Sequence, residues 1–138
     1  MKTFNLRISA IRRDFYTGPC ESLVFTTLDG MVGILANHVP TVYAVTAGEL
    51  RFTVNGETQV LAVGDGMARV AGDKVTILVD FAELASEINA VRARAAKERA
   101  EAQIQAHQDA HSVARAEAAL SRAMARLKVA QKANHQKM

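Results

Sequence analysis

Four arginines and one asparagine have the types and spacing to hold a phosphate-bearing ligand. Arg115, Arg122 and Arg126 are spaced seven and four, so on a helix they line up along one face. Asn89 and Arg92, three apart, share a face of an earlier segment that also reads as helix. A guanidinium presents a planar fork of N–H donors that matches a pair of phosphate oxygens. A carboxamide can meet a base edge or a ribose hydroxyl. Two helices packed side by side would gather these groups around a nucleotide. The competing reading is an ordinary charged face turned to water.

Other chemistry finds no support. The sequence has no Walker sequence, no GxSxG, no HExxH and no paired-cysteine spacing. No metal site and no required cofactor are expected. His107 and His111 are four apart with Asp109 between them, but they straddle an expected helix break and read as exposed turn histidines. Gly30-Met31-Val32-Gly33 is too short and apolar for a phosphate loop, and Gly33 reads as a bulge or close-packing glycine. Cys20 is the only cysteine, which excludes an intramolecular disulfide and fits a reducing compartment.

Two kinds of element must position the candidate groups. Residues 1–84 read with period 2. Phe4, Leu6 and Ile8 alternate with polar residues, and strands are expected from Ser22, Met31 and Thr41. Glu49–Val63 reads as a hairpin turning at Asn55-Gly56, a pair suited to positive φ. Gly66–Asp80 repeats the strand–turn–strand pattern. Many short strands with glycine turns predict a β-sandwich or flattened barrel.

Residues 85–138 switch to helix. Glu87 to about Gln105 has no Gly or Pro, and Ser86 is the expected N-cap. Asp109 is expected to cap a second helix reaching about Gln131. Its apolar stripe is expected to be Val113, Ala116, Leu120, Met124 and Leu127, facing Ile88, Val91, Ala95 and Ile104 of the first helix. The fold class is therefore α+β, a sandwich followed by an antiparallel two-helix hairpin. The hairpin's thin face predicts weak docking and a mobile tail.

Charge divides at the same point. Residues 1–84 carry 7 Lys/Arg and 9 Asp/Glu, a net of −2; residues 85–138 carry 10 and 5, a net of +5; together these make the chain's +3. Trp is absent and there are only two Tyr, so the basic–aromatic interleaving of nucleic-acid binders is missing. A lipid-surface helix wants larger apolar residues than these alanines. No apolar run reaches the length of a membrane span, and MKTFNLRISA alternates instead of forming a secretory core. A protein partner is the expectation.

DGMVGILANHVPTVYAVTAGELRF from Asp29, EINAVRARAAKERAEAQ from Glu87 and RAEAALSRAMARLKVA from Arg115 carry a resemblance over essentially the whole chain. The chain resembles the epsilon-subunit family of bacterial F-type ATP synthases, including its Bacillus-like ATP-sensing members. The resemblance implies a noncatalytic central-stalk rotor subunit, peripheral on the cytoplasmic face of the cell membrane. Its sandwich would bind the gamma subunit and the c-ring, with His38 and Pro40 near that interface. Its hairpin would inhibit ATP hydrolysis when extended toward the alpha and beta subunits.

The sensing signature is Ile/Leu-Asp-x-x-Arg-Ala, and here it reads Ile88-Asn89-Ala90-Val91-Arg92-Ala93. By resemblance Glu83, Arg99, Arg122 and Arg126 complete an ATP site, with or without Mg²⁺. Asn89 departs from the pattern and implies weakened binding. The alternative reading is a stand-alone nucleotide-binding regulatory module.

Overall fold

The computed structural model describes residues 2–106 and 109–136. Ten strands build two five-stranded sheets. They are β1 (Phe4–Ala10), β2 (Arg13–Cys20), β3 (Ser22–Thr27), β4 (Gly30–Leu35), β5 (Thr41–Val45), β6 (Gly48–Val54), β7 (Glu57–Val63), β8 (Gly66–Ala71), β9 (Lys74–Val79) and β10 (Ala82–Leu84). One sheet has the order β2-β1-β9-β8-β5 and the other β10-β7-β6-β3-β4. All pairings are antiparallel except β1–β9.

The period-2 pattern does what was expected of it. Phe4, Leu6 and Ile8 are buried with Leu23, Phe25, Leu50, Phe52, Val75 and Ile77 between the sheets. Asn55 and Gly56 turn the β6–β7 hairpin with φ of 52° and 78°. The sequence pattern missed β2 and β10. Gly18 and Pro19 obscure β2, and β10 is three residues long. Gly33 is neither a bulge nor a packing glycine. It pairs in regular register with Val24, and a Cβ there would meet nothing within 4 Å.

A single 3₁₀ turn, Ala85–Glu87, links the sandwich to α1 (Ala90–Ala106) and α2 (Ala110–Gln136). Asp109 caps α2, its carboxylate accepting from the Ser112 N–H at 2.7 Å. The break between the helices falls where the sequence placed it; His107 and Gln108 lie outside the described residues.

The seam between the helices is narrower than the expected stripe. Ala93 and Ala100 on α1, with Ala116 and Ala123 on α2, are buried; Val91 is 76% and Met124 52% exposed. Each buried alanine contributes only about one methyl's worth of transfer energy, roughly 0.8 kcal/mol. Helices that meet through alanines approach closely and leave their longer side chains at the margins.

Helix α2 also lies across β6 and β7 on the outer side of their sheet. There Ala62 is fully buried although it points away from the core between the sheets. Glu83 and Glu49 pair with Ala62 from either side, so the three form one row across β10, β7 and β6. Arg126 and Lys132 of α2 meet these two carboxylates at 3.0 and 2.6 Å.

Gly66 pins the β8–β9 ladder. A Cβ there would lie 1.8 Å from the Leu78 carbonyl oxygen. Gly66→Ala is expected to destabilise the sandwich by about 3 kcal/mol through forced backbone movement. Urea unfolding would show a lowered midpoint; an unchanged midpoint would mean that the ladder adjusts freely.

Candidate functional site

The 3₁₀ turn and the two helices enclose a cavity of about 520 Å³. Glu83, Asn89, Arg92, Arg99, Arg122 and Arg126 all line it. These residues span 43 positions of sequence and converge because the hairpin folds α2 back past α1. Ile88 is half-buried and does not line the cavity. Arg115 lines a neighbouring hollow with Gln103 and Ser112, and only Arg122 and Ala119 are common to both. The expected single row of arginines is thus divided between two hollows.

Asn89, and not Ser86, starts α1. Its side-chain oxygen accepts the Arg92 N–H at 3.1 Å, the bond an N-cap makes. The helix therefore opens at Ala90, three residues later than its composition implied. Glu87 stands ahead of the helix. Its carboxylate accepts from the Leu84 N–H at 2.9 Å and from the Arg13 guanidinium at 2.8 Å. Arg13 also donates to the Ala82 carbonyl at 3.0 Å, so it ties β2 to β10 and to the turn that follows it. This partner, 74 residues from Glu87, left no signal in the sequence.

The cavity's charges are unequally committed. Arg126 grips Glu83 with Nε at 3.2 and 3.1 Å from the two oxygens and Nη2 at 3.0 Å from one. Its guanidinium carbon also lies 3.9 Å from the centroid of the Phe81 ring. Among the described residues, Arg92, Arg99 and Arg122 form no salt bridge. Three guanidinium groups outside any salt bridge line one hollow, and a planar fork of N–H donors is the kind of group that matches paired oxygens of an anion. Ala93, Ala96, Ala119 and Ala123 form its floor. Their i,i+3 and i,i+4 spacings were visible in the sequence, and small side chains are what leave room there.

His38 and Pro40 lie elsewhere, on the loop between β4 and β5. The His38 Nδ1–H donates to the neighbouring Val39 carbonyl at 2.7 Å, and the ring stands edge-on to Tyr43. Val39 and Val42 beside it are 69% and 62% exposed.

Two family models divide the chain. The beta-sandwich domain of the ATP synthase delta/epsilon chain matches residues 3–85, and the long alpha-helix domain matches residues 86–131. The chain belongs to the ATP synthase delta/epsilon-chain family. It is 43% identical over 127 residues to the ATP synthase epsilon chain of Ruminiclostridium cellulolyticum, covering 92% of this chain and 95% of that one. Its fold superposes on a chain of the Euglena gracilis mitochondrial ATP synthase with a TM-score of 0.81 at 24% identity, covering 94% of this chain and 81% of that one. A chain of the Tetrahymena thermophila enzyme gives a TM-score of 0.60 at 12% identity, covering 96% of each.

The Glu87 tie responds to pH. The Arg13 hydrogen bond foremost, and then the Leu84 amide, hold the Glu87 carboxyl below its usual range. A depressed folded-state value means the tie stabilises fully above the unfolded glutamate value, about 4.3, and is lost as pH falls through the folded value. The Glu87 carboxyl should titrate by NMR below that reference, and Arg13→Gln should raise its midpoint. A wild-type midpoint at the ordinary value would show that the tie is absent in solution.

Proposed function

We propose that this chain is a noncatalytic central-stalk rotor subunit of an F-type ATP synthase. Its sandwich, residues 1–84, engages the gamma subunit and the c-ring. Its hairpin, residues 85–138, regulates ATP hydrolysis and senses ATP when docked. The Tetrahymena chain comes from a central stalk and c-ring assembly, which supports the placement. The exposed apolar residues Leu28, Met31, Leu35, Val39 and Val42 on and beside β4 and β5 favour a partner surface there, against a stand-alone nucleotide module. Through these partners the chain sits peripherally at the cytoplasmic face of the membrane. Extended, the basic hairpin reaches the alpha and beta subunits.

One observation carries the ATP reading: the hollow that gathers Arg92, Arg99 and Arg122 beside Asn89. The triphosphate takes the guanidinium groups, and the Asn89 amide faces the base or ribose. ATP bound there touches both helices and selects the docked hairpin, which opposes the extended, inhibitory form. Magnesium, where present, enters on the phosphates.

The cap explains why Asn89 weakens the grip. Its one carbonyl oxygen carries no charge and already accepts the Arg92 N–H. An aspartate would cap with one oxygen and keep the other as a charged acceptor. A charged hydrogen bond exceeds a neutral one by about 1 kcal/mol or more, so Asn89→Asp should tighten ATP binding roughly tenfold. Arg99→Gln and Arg122→Gln should each weaken it while leaving the helical circular dichroism unchanged. Calorimetric titration, with and without Mg²⁺, decides; equal affinities for wild type and Asn89→Asp refute the role given to Asn89.

A further inference from the structure

Glu49 is the one buried charged side chain among the described residues, 3% exposed. It sits on β6, outside every cavity that holds the ATP candidates. Its Oε1 accepts from Lys132 Nζ at 2.6 Å, and the lysine remains 37% exposed. We infer that the Glu49–Lys132 pair is a conditional latch for α2, setting from outside the nucleotide cavity how much of the hairpin is docked.

The geometry shows why it acts as a condition. Glu83, Ala62 and Glu49 form one row across β10, β7 and β6, with carboxylates on either side of a small residue. Two strand spacings separate the carboxylates by roughly 10 Å. On α2, Arg126 and Lys132 are six residues apart, roughly 9 Å along the axis. At 100° per residue they lie about 60° to either side of Val129, which is 1% exposed. A central apolar residue with a cation on each side thus matches in spacing a central alanine with an anion on each side. A shift of α2 by one turn would break both pairs together.

The two pairs differ in what breaking them does. Glu83 and Arg126 are 28% and 29% exposed, so water reaches both partners. Glu49 is open to water only when α2 is away. Docking strips its water and returns one ammonium contact. A buried pair of this kind contributes little beyond a well-packed apolar one, whereas a buried charge left alone is strongly unfavourable. The latch therefore gives docking its register and makes it depend on the charge of Lys132. Docking itself is driven by the apolar surface of α2.

This asymmetry produces opposite signs, which a simple attractive bridge does not. In the full chain, Lys132→Met strands the carboxylate. It should lower hydrogen-exchange protection of α2 amides between residues 123 and 130 at least tenfold. Lysine and methionine have similar helix propensities, so the helix itself is not at issue. Adding Glu49→Leu to Lys132→Met should restore protection to wild type or above. Glu49→Gln with native Lys132 should lower it only slightly, since the amide keeps an acceptor. Amides in β1 and β9 should be unaffected and report that the sandwich is folded.

The link to ATP rests on the proposed function and has its own readout. Where the docked form is a minority, apparent ATP affinity falls in proportion to it, although Lys132 touches no ATP group. If wild type fails to bind ATP, the sensing reading fails while exchange still decides the latch. Unchanged protection in Lys132→Met, or a double variant no better protected than Lys132→Met, overturns the latch.

Discussion

The placement of α2 across the outer face of the β10-β7-β6-β3-β4 sheet is the constraint on which the C-terminal half depends. Ala62 is small enough to let the helix lie close, and its flanking glutamates receive Arg126 and Lys132. Arg126 in turn fixes one wall of the hollow between the helices. If α2 moved along its axis, the Glu83 grip, the stack of Arg126 on Phe81 and the position of Arg122 would all change together. The sandwich does not face this constraint. Its aliphatic and aromatic core closes between its own two sheets.

The alanine seam has two consequences that pull against each other. Small side chains bury little area, so the two helices meet through narrow contacts and α2 is tied to the sheet by two ion pairs. The same small side chains leave a hollow between the helices, which arginines surround without filling. A seam of leucines would hold more tightly and close the hollow. The narrow seam and the hollow thus have one physical origin. A regulatory element that must change position is built from a low-stability part of a fold.

Asn89 stands where these demands meet. As the first cap of α1 it fixes the start of the helix, and the helix phase then decides that Arg92 and Arg99 face the cavity. Its amide has one uncharged acceptor oxygen, and the cap engages it. The residue is well suited to its structural task and poorly equipped for a second one. The departure from the sensing signature leaves the helix cap intact.

Much of this protein was legible without coordinates, because its determinants are local. Alternating apolar residues set six of the strands, Asn55-Gly56 set its hairpin, and Asp109 set the start of α2. The spacing of Arg122 and Arg126 placed them on one helix face, and both line the same hollow. Local patterns failed where the deciding partner was remote. Asn89 displaced Ser86 as cap because the Ala85–Glu87 turn is held by Arg13, far away on β2. Val91 and Met124 match the helical period yet remain exposed, because the close approach of Ala93 and Ala100 to α2 decides which face is inside. Amino-acid order by itself determined the elements and the chemistry they carry. Only the tertiary structure decided which arginine is taken by Glu83 and which, among the described residues, stand outside any salt bridge. That choice depends on Arg126 and Glu83 meeting across 43 residues, and on α2 crossing the sheet at Ala62.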